Sequence, residues 1–514
     1  MNKGFLAGLC LGIGLLPLSG QARDFGEGLV SLSASIALEN QDGRYNHWNG
    51  IGRIVARDGL HCTATLLDTR SPDSPADAPA YLLTNGHCLE KKNGLIVTDR
   101  AVEGEALFNY FTDTQPQSFA LKQINWSSTQ GVDLAVVELQ QPLSALIAAG
   151  IEPIALARDL PPIGSDILLV GAPLKPGTGH LRLAACTQQE SADVLEQPWL
   201  WRNSVKNQCR DLSKGSSGSP ILSRTSNEVF AVLNTSTQGN PGSGKPLELP
   251  ENFPVPSPDS NYGSAVTFLR SCFAQGLLVQ DPQECPLFPA YSITFDSPAK
   301  RYAKIGQNAD GQPVYPAWDL RFSLDTPFYR YKQVDRASQC ESPHHYSAAL
   351  PAENTRIDDP IGQRPGLHLL CIVGAKATDE RPSLGMMRNA LTLAAELMPA
   401  GPTAAPELLI KPAGSGYSVI FAYDSRLFSH YGVKFGPPRS TDCSDSTGQR
   451  KTAPRQVHFA SNKLPLKLCT LAYDLNGQPS AVREDLLEQR PAGEERPPGN
   501  TRFSYIGLGD EPRD

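Results

Sequence analysis

The cysteines constrain the fold of this 514-residue chain more than any other feature. Eleven are present, and setting aside Cys10 in the apolar N-terminal segment leaves ten, an even number. If the chain is exported, disulfides persist and five are possible, although sequence alone does not prove their connectivity. No CxxC or HExxH motif supports a zinc site, and we predict no metal or cofactor. The predicted bridges pair neighbours in the chain: Cys62–Cys88, Cys186–Cys209, Cys272–Cys285, Cys340–Cys371 and Cys443–Cys469.

The first residues of the chain predict export. One lysine precedes an apolar run from Phe5 to Leu18, and the small residues Gly20 and Ala22 follow this run. The pattern is typical of a secretory signal peptide, here residues 1–22. About 14 apolar residues fall short of the roughly 20 that cross a bilayer, so we expect no stable membrane anchor. The mature protein is therefore predicted to be periplasmic or extracellular.

Composition favours β-structure with many turns. Apolar residues make up 40% of the chain and charged residues 19%, with 44 glycines and 44 prolines. Such a chain buries substantial cores but forms few long helices. The length predicts several domains, at roughly 150 residues each. A net charge of −7 provides no basic surface for nucleic acid, so we expect no nucleic-acid partner.

Three polar residues lie in small-residue turns beside strand-like runs. His87 follows the apolar run at 81–83, Asp133 begins DLAVVEL, and Ser217 lies in GSSGSP. An acidic residue at the start of a strand rich in β-branched residues is unusual unless its carboxylate has a hydrogen-bonding or functional role. Each residue alone is weak support, because Ser/Gly-rich turns are common. Together they have the composition and chain order of one form of the Ser-His-Asp triad.

These segments resemble the chymotrypsin/trypsin-like serine peptidases over about residues 28–285. GLHCTATLL and YLLTNGHC are similar to the cysteine-bearing strand and the catalytic-histidine motif of that family. Cys62 and Cys88 match the disulfide that flanks this histidine. GSSGSP resembles the nucleophile motif, whose third residue here is Ser217. The resemblance implies a double β-barrel that hydrolyses peptide bonds.

Two departures from the family pattern bear on activation and specificity. Ser216 stands where digestive members have the aspartate that pairs with a newly cut N-terminal ammonium, so activation by that ion pair is doubtful. Ser219 replaces the usual glycine, which is similar to bacterial glutamyl-endopeptidase-like members. The same serine also fails the G-x-S-x-G elbow of α/β-hydrolases, which removes that family as an alternative.

The resemblance implies a role for each residue of the triad. Ser217 is the nucleophile, and His87 takes its proton because imidazole titrates near neutral pH. Asp133 holds the imidazole in the required tautomer. The backbone N–H groups of Gly215 and Ser217 are predicted to bind the oxyanion that develops on the substrate.

The specificity pocket is less well determined by the sequence. Asp211 lies six residues before Ser217, the offset of the pocket aspartate in trypsin-like members, and such a carboxylate favours Arg or Lys. However, the family's cysteine is replaced by Ser213, so a solvated loop acid remains an open alternative. We also predict Asn234, Thr235 and Gly263 as pocket residues, and no histidine is present there to support glutamyl specificity.

The second half of the chain contains a repeat with a period of about 100 residues. WDLRFSLDTPFYRYKQV matches YSVIFAYDSRLFSHYGVKF, with Phe322 and Phe421 in equivalent positions, and the last two cysteine pairs repeat as well. Alternating apolar residues and turn signals predict two β-sandwich modules, at 286–400 and 401–485. The stretch LGMMRNALTLAAELMPAG between them is predicted as a short helix or linker, and residues 486–514 as a disordered tail.

The predicted architecture is all-β: a chymotrypsin-like double β-barrel (23–285) followed by two β-sandwich modules. The predicted function is that of an exported serine endopeptidase, which acts on proteins or peptides through an acyl-enzyme. The alternative is a surface-binding or adhesin-like protein with an inactive peptidase domain. The modules would then bind a surface or a secretion partner, or serve as supports. We also expect a chain that ends near Pro286 to fold and to cleave small peptides.

Overall fold

A computed structural model describes residues 23–57, 61–174, 179–238, 246–250, 254–400, 404–421, 426, 428–452 and 456–489. The predicted signal peptide and residues 490–514 of the predicted tail lie outside this description. Of the helices in the described ranges, none is long and apolar enough to cross a membrane.

Strands dominate the described residues. The α-helices are α1 (Leu143–Ala148) and α2 (Leu384–Arg388), and the 3-10 helices are Asn46–Trp48, Gly86–Cys88, Thr267–Cys272, Ala337–Glu341 and Ser461–Lys463. The strands of the N-terminal half are β1 (Ile36–Ala37), β2 (Ile51–Ala56), β3 (His61–Leu66), β4 (Pro79–Thr84), β5 (Ile96–Ala101), β6 (Gly104–Phe108), β7 (Gln117–Ser128), β8 (Leu134–Pro142), β9 (Asp166–Gly171), β10 (Arg182–Glu196), β11 (Trp199–Asn207), β12 (Pro220–Ser223), β13 (Val229–Ser236), β14 (Leu247–Glu248), β15 (Val255–Pro256), β16 (Asn261–Ala265), β17 (Phe273–Ala274) and β18 (Leu277–Leu278).

These strands form two closed antiparallel barrels of six strands each. In the first barrel the order is β2-β3-β4-β8-β7-β6, and β6 pairs again with β2. In the second barrel the order is β9-β10-β11-β16-β13-β12, and β12 pairs again with β9. Closure leaves no exposed edge in either ring. The predicted double barrel is confirmed.

The barrel strands are apolar on both faces because each face packs against a core. Leu82 on β4 and Val137 on β8 lie inside the first barrel. Their chain neighbours Leu83 and Val136 point the opposite way, into the core shared by the two barrels, since successive strand residues face opposite sides. Leu287, beyond the predicted domain boundary at 285, also packs into the shared core.

The C-terminal half contains two further units of packed sheets. Their strands are β19 (Ile293–Phe295), β20 (Tyr302–Lys304), β21 (Gly306–Gln307), β22 (Pro313–Val314), β23 (Leu320–Leu324), β24 (Phe328–Val334), β25 (Leu350–Pro351), β26 (Arg356–Ile357), β27 (Gly366–Ala375), β28 (Leu391–Met398), β29 (Leu408–Ala413), β30 (Gly416–Phe421), β31 (Phe428–Gly436), β32 (Arg450–Thr452), β33 (Gln456–Phe459), β34 (Leu466–Asp474) and β35 (Arg483–Leu487). Module 1 has the sheets β20-β28-β27-β24-β25 and β19-β23-β26, and module 2 has β32-β31-β34-β35 and β29-β30-β33. Each module encloses its own apolar core, as a β-sandwich does.

The sequence repeat corresponds to equivalent strands in the two modules. Strands β23 and β24 of module 1 match β30 and β31 of module 2, and Phe322 and Phe421 are both buried. The stretch predicted as a short helix or linker is instead helix α2 followed by β28, which pairs in parallel with β20 and antiparallel with β27. These long-range pairings override the helix propensity of an alanine- and leucine-rich segment.

All five predicted disulfide pairs lie at bonding distance in the structure. Their S–S distances range from 1.91 to 2.05 Å. Three bridges lie in the part with the barrels and one lies in each module, so each unit with its own core has its own cross-link.

Candidate active site

The loop that contains Ser217 joins the two barrels at their interface. Thr63, fully buried on β3 of the first barrel, donates its backbone N–H to the Ser217 carbonyl oxygen at 2.7 Å. Its hydroxyl donates to the Gly215 carbonyl oxygen at 2.9 Å, and its own carbonyl oxygen accepts the Thr84 hydroxyl at 2.8 Å. Because Thr84 ends the strand that precedes His87, Thr63 connects the serine loop to the histidine turn.

Two glycines are required by the shape of this loop. Gly215 and Gly218 have φ values of +89° and +85°, which residues with a Cβ rarely adopt. A Cβ on Gly218 would lie 1.9 Å from the Thr63 carbonyl oxygen. The spacing of glycines in GSSGSP therefore reflects backbone geometry and close packing rather than flexibility.

The neighbouring serines are committed to the loop itself. The Ser216 hydroxyl is buried and accepts the Ser213 N–H at 3.3 Å, and the buried Ser219 hydroxyl donates to the Ser216 carbonyl oxygen at 2.6 Å. Ser217 is half-buried, and its hydroxyl donates to the Asn234 carbonyl oxygen at 3.5 Å, a long and weak hydrogen bond. Among the serines at 216, 217 and 219, only Ser217 is accessible with a weakly held hydroxyl.

His87 and Asp133 form a closely paired acid and base. His87 Nδ1 lies 2.6 Å from Asp133 Oδ2, and the His87 backbone N–H donates to Asp133 Oδ1 at 2.9 Å. The carboxylate is fully buried, and the Asp133 carbonyl oxygen accepts a hydrogen bond from the Asn85 amide at 2.9 Å. Both carboxylate oxygens thus hold the histidine turn, which leaves Nε2 of the ring for proton transfer.

The pair also changes the acid strength of the imidazole. Burial opposes the charged ring, but the charge of Asp133 and its hydrogen bond outweigh this effect and raise the pKa of His87 above 6.5. The charge of Glu196 acts in the same direction, and Lys91 acts against it. A raised pKa makes the ring a stronger proton acceptor, which suits a general base.

The predicted oxyanion donors are not used by the fold. Within the described residues, neither the Gly215 N–H nor the Ser217 N–H has a hydrogen-bond partner, whereas the next N–H, of Gly218, donates to the Leu233 carbonyl oxygen at 2.8 Å. Unpaired donors beside a nucleophile are the arrangement that binds a developing oxyanion.

The predicted pocket residues occupy different positions. Asp211 accepts the Ser35 N–H at 2.7 Å, so its carboxylate holds the N-terminal segment. Gly263 is buried in β16, and a Cβ there would lie 2.9 Å from Ile221 Cδ1 inside the second barrel. In these positions neither Asp211 nor Gly263 is seen to form the floor of a pocket. The pocket roles of both residues stay predictions. Asn234 and Thr235, by contrast, lie beside the nucleophile at the end of β13.

A feature missed in the sequence is the cleft hairpin, formed by β10 and β11 from Gln188 to Asn207. At its tip the Pro198 carbonyl oxygen accepts the Asn93 side-chain amide at 3.0 Å, and Trp199 Nε1 donates to the Lys91 carbonyl oxygen at 3.3 Å. The tip therefore connects the second barrel to the loop that follows His87. Leu195, Glu196 and the Gln-Pro turn mark a hairpin in the sequence, but its contact with the histidine loop is long-range and carries no local signal.

Glu196 is the polar residue that this hairpin brings to the cleft. Thr235 is a side-chain hydrogen-bond partner of its carboxyl group, and the charges of His87 and Asp133 both act on it. Burial raises the pKa of the Glu196 carboxyl, although Thr235 and His87 oppose this shift. Glu196 Oε2 is enclosed and has no hydrogen-bond partner.

Cys62, His87 and Cys88 are the cluster of potential metal ligands found within the described ranges. The two sulfur atoms are bonded to each other, and His87 Nδ1 is paired with Asp133. These atoms are therefore engaged in a disulfide and in the histidine–aspartate pair, and the chemistry of the donor set does not fit a metal site.

The structure combines two six-stranded antiparallel barrels. The first carries a histidine–aspartate pair, and the second carries the serine loop at the start of β12. This combination defines a class of protein. This is the class of chymotrypsin-like serine peptidases.

Comparisons with known proteins find a family model that matches part of the chain. Residues 62–232 match the family model described as the trypsin-like peptidase domain. This segment contains His87, Asp133 and Ser217, and the chain therefore carries a trypsin-like serine peptidase domain. The glutamyl-endopeptidase-like variant of the nucleophile motif stays a prediction. The comparison with curated proteins gives no match.

Several solved structures are similar to this chain. An inactive serine-to-alanine mutant of Rv3671c from M. tuberculosis H37Rv is 14% identical, covering 46% of this chain and 92% of that one, with a TM-score of 0.29. The thermostable serine protease AL20 from an extremophilic microorganism is 15% identical (45% and 94% covered, TM-score 0.31). Human heparin binding protein is 13% identical (46% and 92% covered, TM-score 0.30).

Proposed function

We propose that this protein is an exported serine endopeptidase whose catalytic residues are His87, Asp133 and Ser217. The observation that carries the proposal is the buried Asp133 carboxylate, which holds the His87 ring at 2.6 Å beside a loop in which Ser217 is half-buried and weakly hydrogen-bonded. Five disulfides agree with export, because such bridges persist in oxidising compartments.

The chemistry follows from these positions. His87 Nε2 takes the proton of the Ser217 hydroxyl as Oγ attacks the substrate carbonyl carbon. The carbonyl oxygen becomes an oxyanion, which the N–H groups of Gly215 and Ser217 stabilise; loss of one such donor costs about 3 kcal/mol. The carbon–nitrogen bond then breaks, and the leaving amine takes the proton from His87. Water repeats the sequence on the acyl-enzyme and releases the acid.

The long hydrogen bond from Ser217 to Asn234 is compatible with this mechanism. Catalytic hydrogen bonds are often long or misaligned without substrate and shorten when it binds. We expect the Ser217 hydroxyl to turn from the Asn234 carbonyl oxygen toward His87 Nε2 when substrate binds.

A fluorophosphonate probe tests the proposal, because it reacts only with an activated serine. We expect labelling of the wild type and none of Ser217→Ala. Ser213→Ala, which alters a serine of the same loop, is the matched control and should still react. Labelling that persists in Ser217→Ala would refute the nucleophile. A correctly disulfide-bonded wild type that does not react would favour the adhesin-like protein with an inactive peptidase domain.

A further inference from the structure

We propose that Glu196 is a specificity-determining residue, which binds a positively charged group of the substrate on the acyl side of the scissile bond. This inference rests on the proposed peptidase function and deepens it. The group bound is an ammonium or a guanidinium, from either a lysine or arginine side chain or the free amino terminus of the substrate.

The position of Glu196 is fixed from two directions. It lies at the end of β10, opposite Trp199, at the tip of the cleft hairpin that contacts Lys91 and Asn93 of the first barrel. Thr235 of the second barrel lies near its carboxyl group and lowers the pKa of that group by a side-chain hydrogen bond. The carboxyl group is therefore held in a defined place rather than moving freely on a surface loop.

Thr235 places Glu196 next to the residue that contacts the Ser217 hydroxyl. Asn234, whose carbonyl oxygen accepts the Ser217 hydroxyl, directly precedes Thr235 on β13. We assign these two residues to the wall beside the substrate residues that remain attached to Ser217 after acylation. Since Thr235 contacts Glu196, the carboxyl group borders the same side of the cleft.

Glu196 lacks the counter-charge that a carboxylate in a cleft needs. Across the described part of the chain no lysine or arginine forms an ion pair with it, and the neighbouring carboxylate of Asp133 is already used by His87. Among the residues that the structure describes, the enclosed Oε2 has no hydrogen-bond partner, while the residue as a whole is half-buried, so that part of the side chain is exposed. A carboxylate left in this state favours a ligand that supplies a cation.

The position of the hairpin tip distinguishes the two sources of positive charge, a basic side chain and a free amino terminus. The tip contacts the loop that follows His87, so a substrate bound there either ends beside the tip or continues past it. A substrate that ends near Glu196 offers its terminal ammonium, and one that continues past it offers a basic side chain.

Peptide profiling of the full chain tests the inference with wild type, Glu196→Gln and Glu190→Gln. Glu190 is an exposed acid on the same strand and serves as the matched control. One substrate series varies Lys, Arg and Ala on the acyl side, and a second compares free with acetylated amino termini. We expect wild type and Glu190→Gln to prefer the charged member of one series. In Glu196→Gln the kcat/KM for that member should fall by about 30-fold or more, and that for the neutral member should change little.

Each outcome separates the inference from the function on which it rests. A preference lost in the first series identifies a basic side chain, and one lost in the second identifies the amino terminus; both support the proposal. No preference for a cation in wild type, or a preference that survives Glu196→Gln, overturns it. Fluorophosphonate labelling of the same preparations shows whether the peptidase is active. A failure of the triad is thereby distinguished from a failure of Glu196.

Discussion

Arg202 connects the cleft hairpin to module 1, and its replacement by methionine tests how the two depend on each other. The Arg202 side chain is fully buried, although it lies on β11 of the second barrel. Its Nε donates to Glu341 Oε1 at 3.1 Å, and one terminal nitrogen donates to the Ala390 carbonyl oxygen at 2.7 Å and to the Thr392 hydroxyl at 2.8 Å. The other terminal nitrogen contacts the carbonyl oxygen of Arg388.

The expected cost follows from these partners. Arg202→Met keeps most of the volume but leaves at least two enclosed carbonyl oxygens, of Arg388 and Ala390, without this donor. Each unsatisfied group costs roughly 1–3 kcal/mol, and breaking a buried charge network costs about 3–5 kcal/mol. We therefore expect about 3–5 kcal/mol of destabilisation. At roughly 2–4 °C per kcal/mol for a domain of 150–250 residues, the thermal midpoint should fall by about 10 °C.

Differential scanning calorimetry measures this change, and peptide cleavage measures its effect on the cleft. We expect Arg202→Met to reduce kcat/KM for extended peptides while labelling by a fluorophosphonate continues. Arg210→Met, at an exposed arginine that follows the same strand, is the control and should match wild type in stability. A midpoint within about 2 °C of wild type, or unchanged cleavage of extended peptides, would refute the coupling.

Three further predictions concern the triad and the pocket. Asp133→Asn should lower kcat/KM by roughly 10³–10⁴-fold in peptide hydrolysis, because an amide no longer holds the His87 tautomer with its proton on Nδ1. The raised pKa of His87 means that kcat/KM should fall, as pH decreases, with a midpoint above 6.5; a pH profile with a midpoint below 6.5 would contradict this. By linkage the protonated ring adds stability at pH below 6.5, and this contribution disappears as pH rises through the folded pKa. Asp211→Ser should leave the cleaved residue preference unchanged in a peptide library and reduce stability by about 1 kcal/mol, since Ser35 loses its acceptor; a lost basic preference would restore Asp211 to the pocket.

The features that could be predicted from sequence are those with a local signal. The histidine turn, the aspartate at a strand mouth and the glycine spacing around Ser217 each reflect the conformation of a few neighbouring residues. The disulfides follow chain order because each unit has its own cross-link. Period-two alternation and turn residues were sufficient to predict sheets, and the repeat was sufficient to predict two similar modules.

The features that were missed depend on contacts between distant segments. The pocket role of Asp211 stays a prediction, but no signal in the sequence indicates that its carboxylate accepts the N–H of the distant Ser35. Glu196 carries no motif, and its importance arises only when the hairpin reaches the histidine loop. The segment that forms β28 has helix-favouring residues and becomes a strand because β20 and β27 flank it.

The expectation that a chain ending near Pro286 folds and cleaves small peptides stays a prediction, but such a chain would lose several apolar contacts. Leu195 and Leu200 of the cleft hairpin pack against Leu367 and Leu369 of module 1. A chain that ends near Pro286 would expose this cluster to water and would lack Leu287, which fills the shared core. We now expect such a truncated chain to lose the defined position of the hairpin, and with it the cleavage of extended peptides.

The corner of module 1 from Arg388 to Thr392 also touches the loop that leads to Asp133. The Gln130 side chain donates to the Asn389 carbonyl oxygen, and Gly131 leaves no room for a Cβ beside Arg202. A ribosome delivers this corner about 170 residues after Ser217. The growing chain thus contains Ser217, the proposed nucleophile, well before it contains the Arg388–Thr392 corner, which packs behind Asp133 and the cleft hairpin. On the proposed function, we therefore expect a chain that lacks this corner to have Ser217 but not the packing that supports Asp133 and the cleft hairpin, so that cleavage of extended peptides needs nearly the full chain.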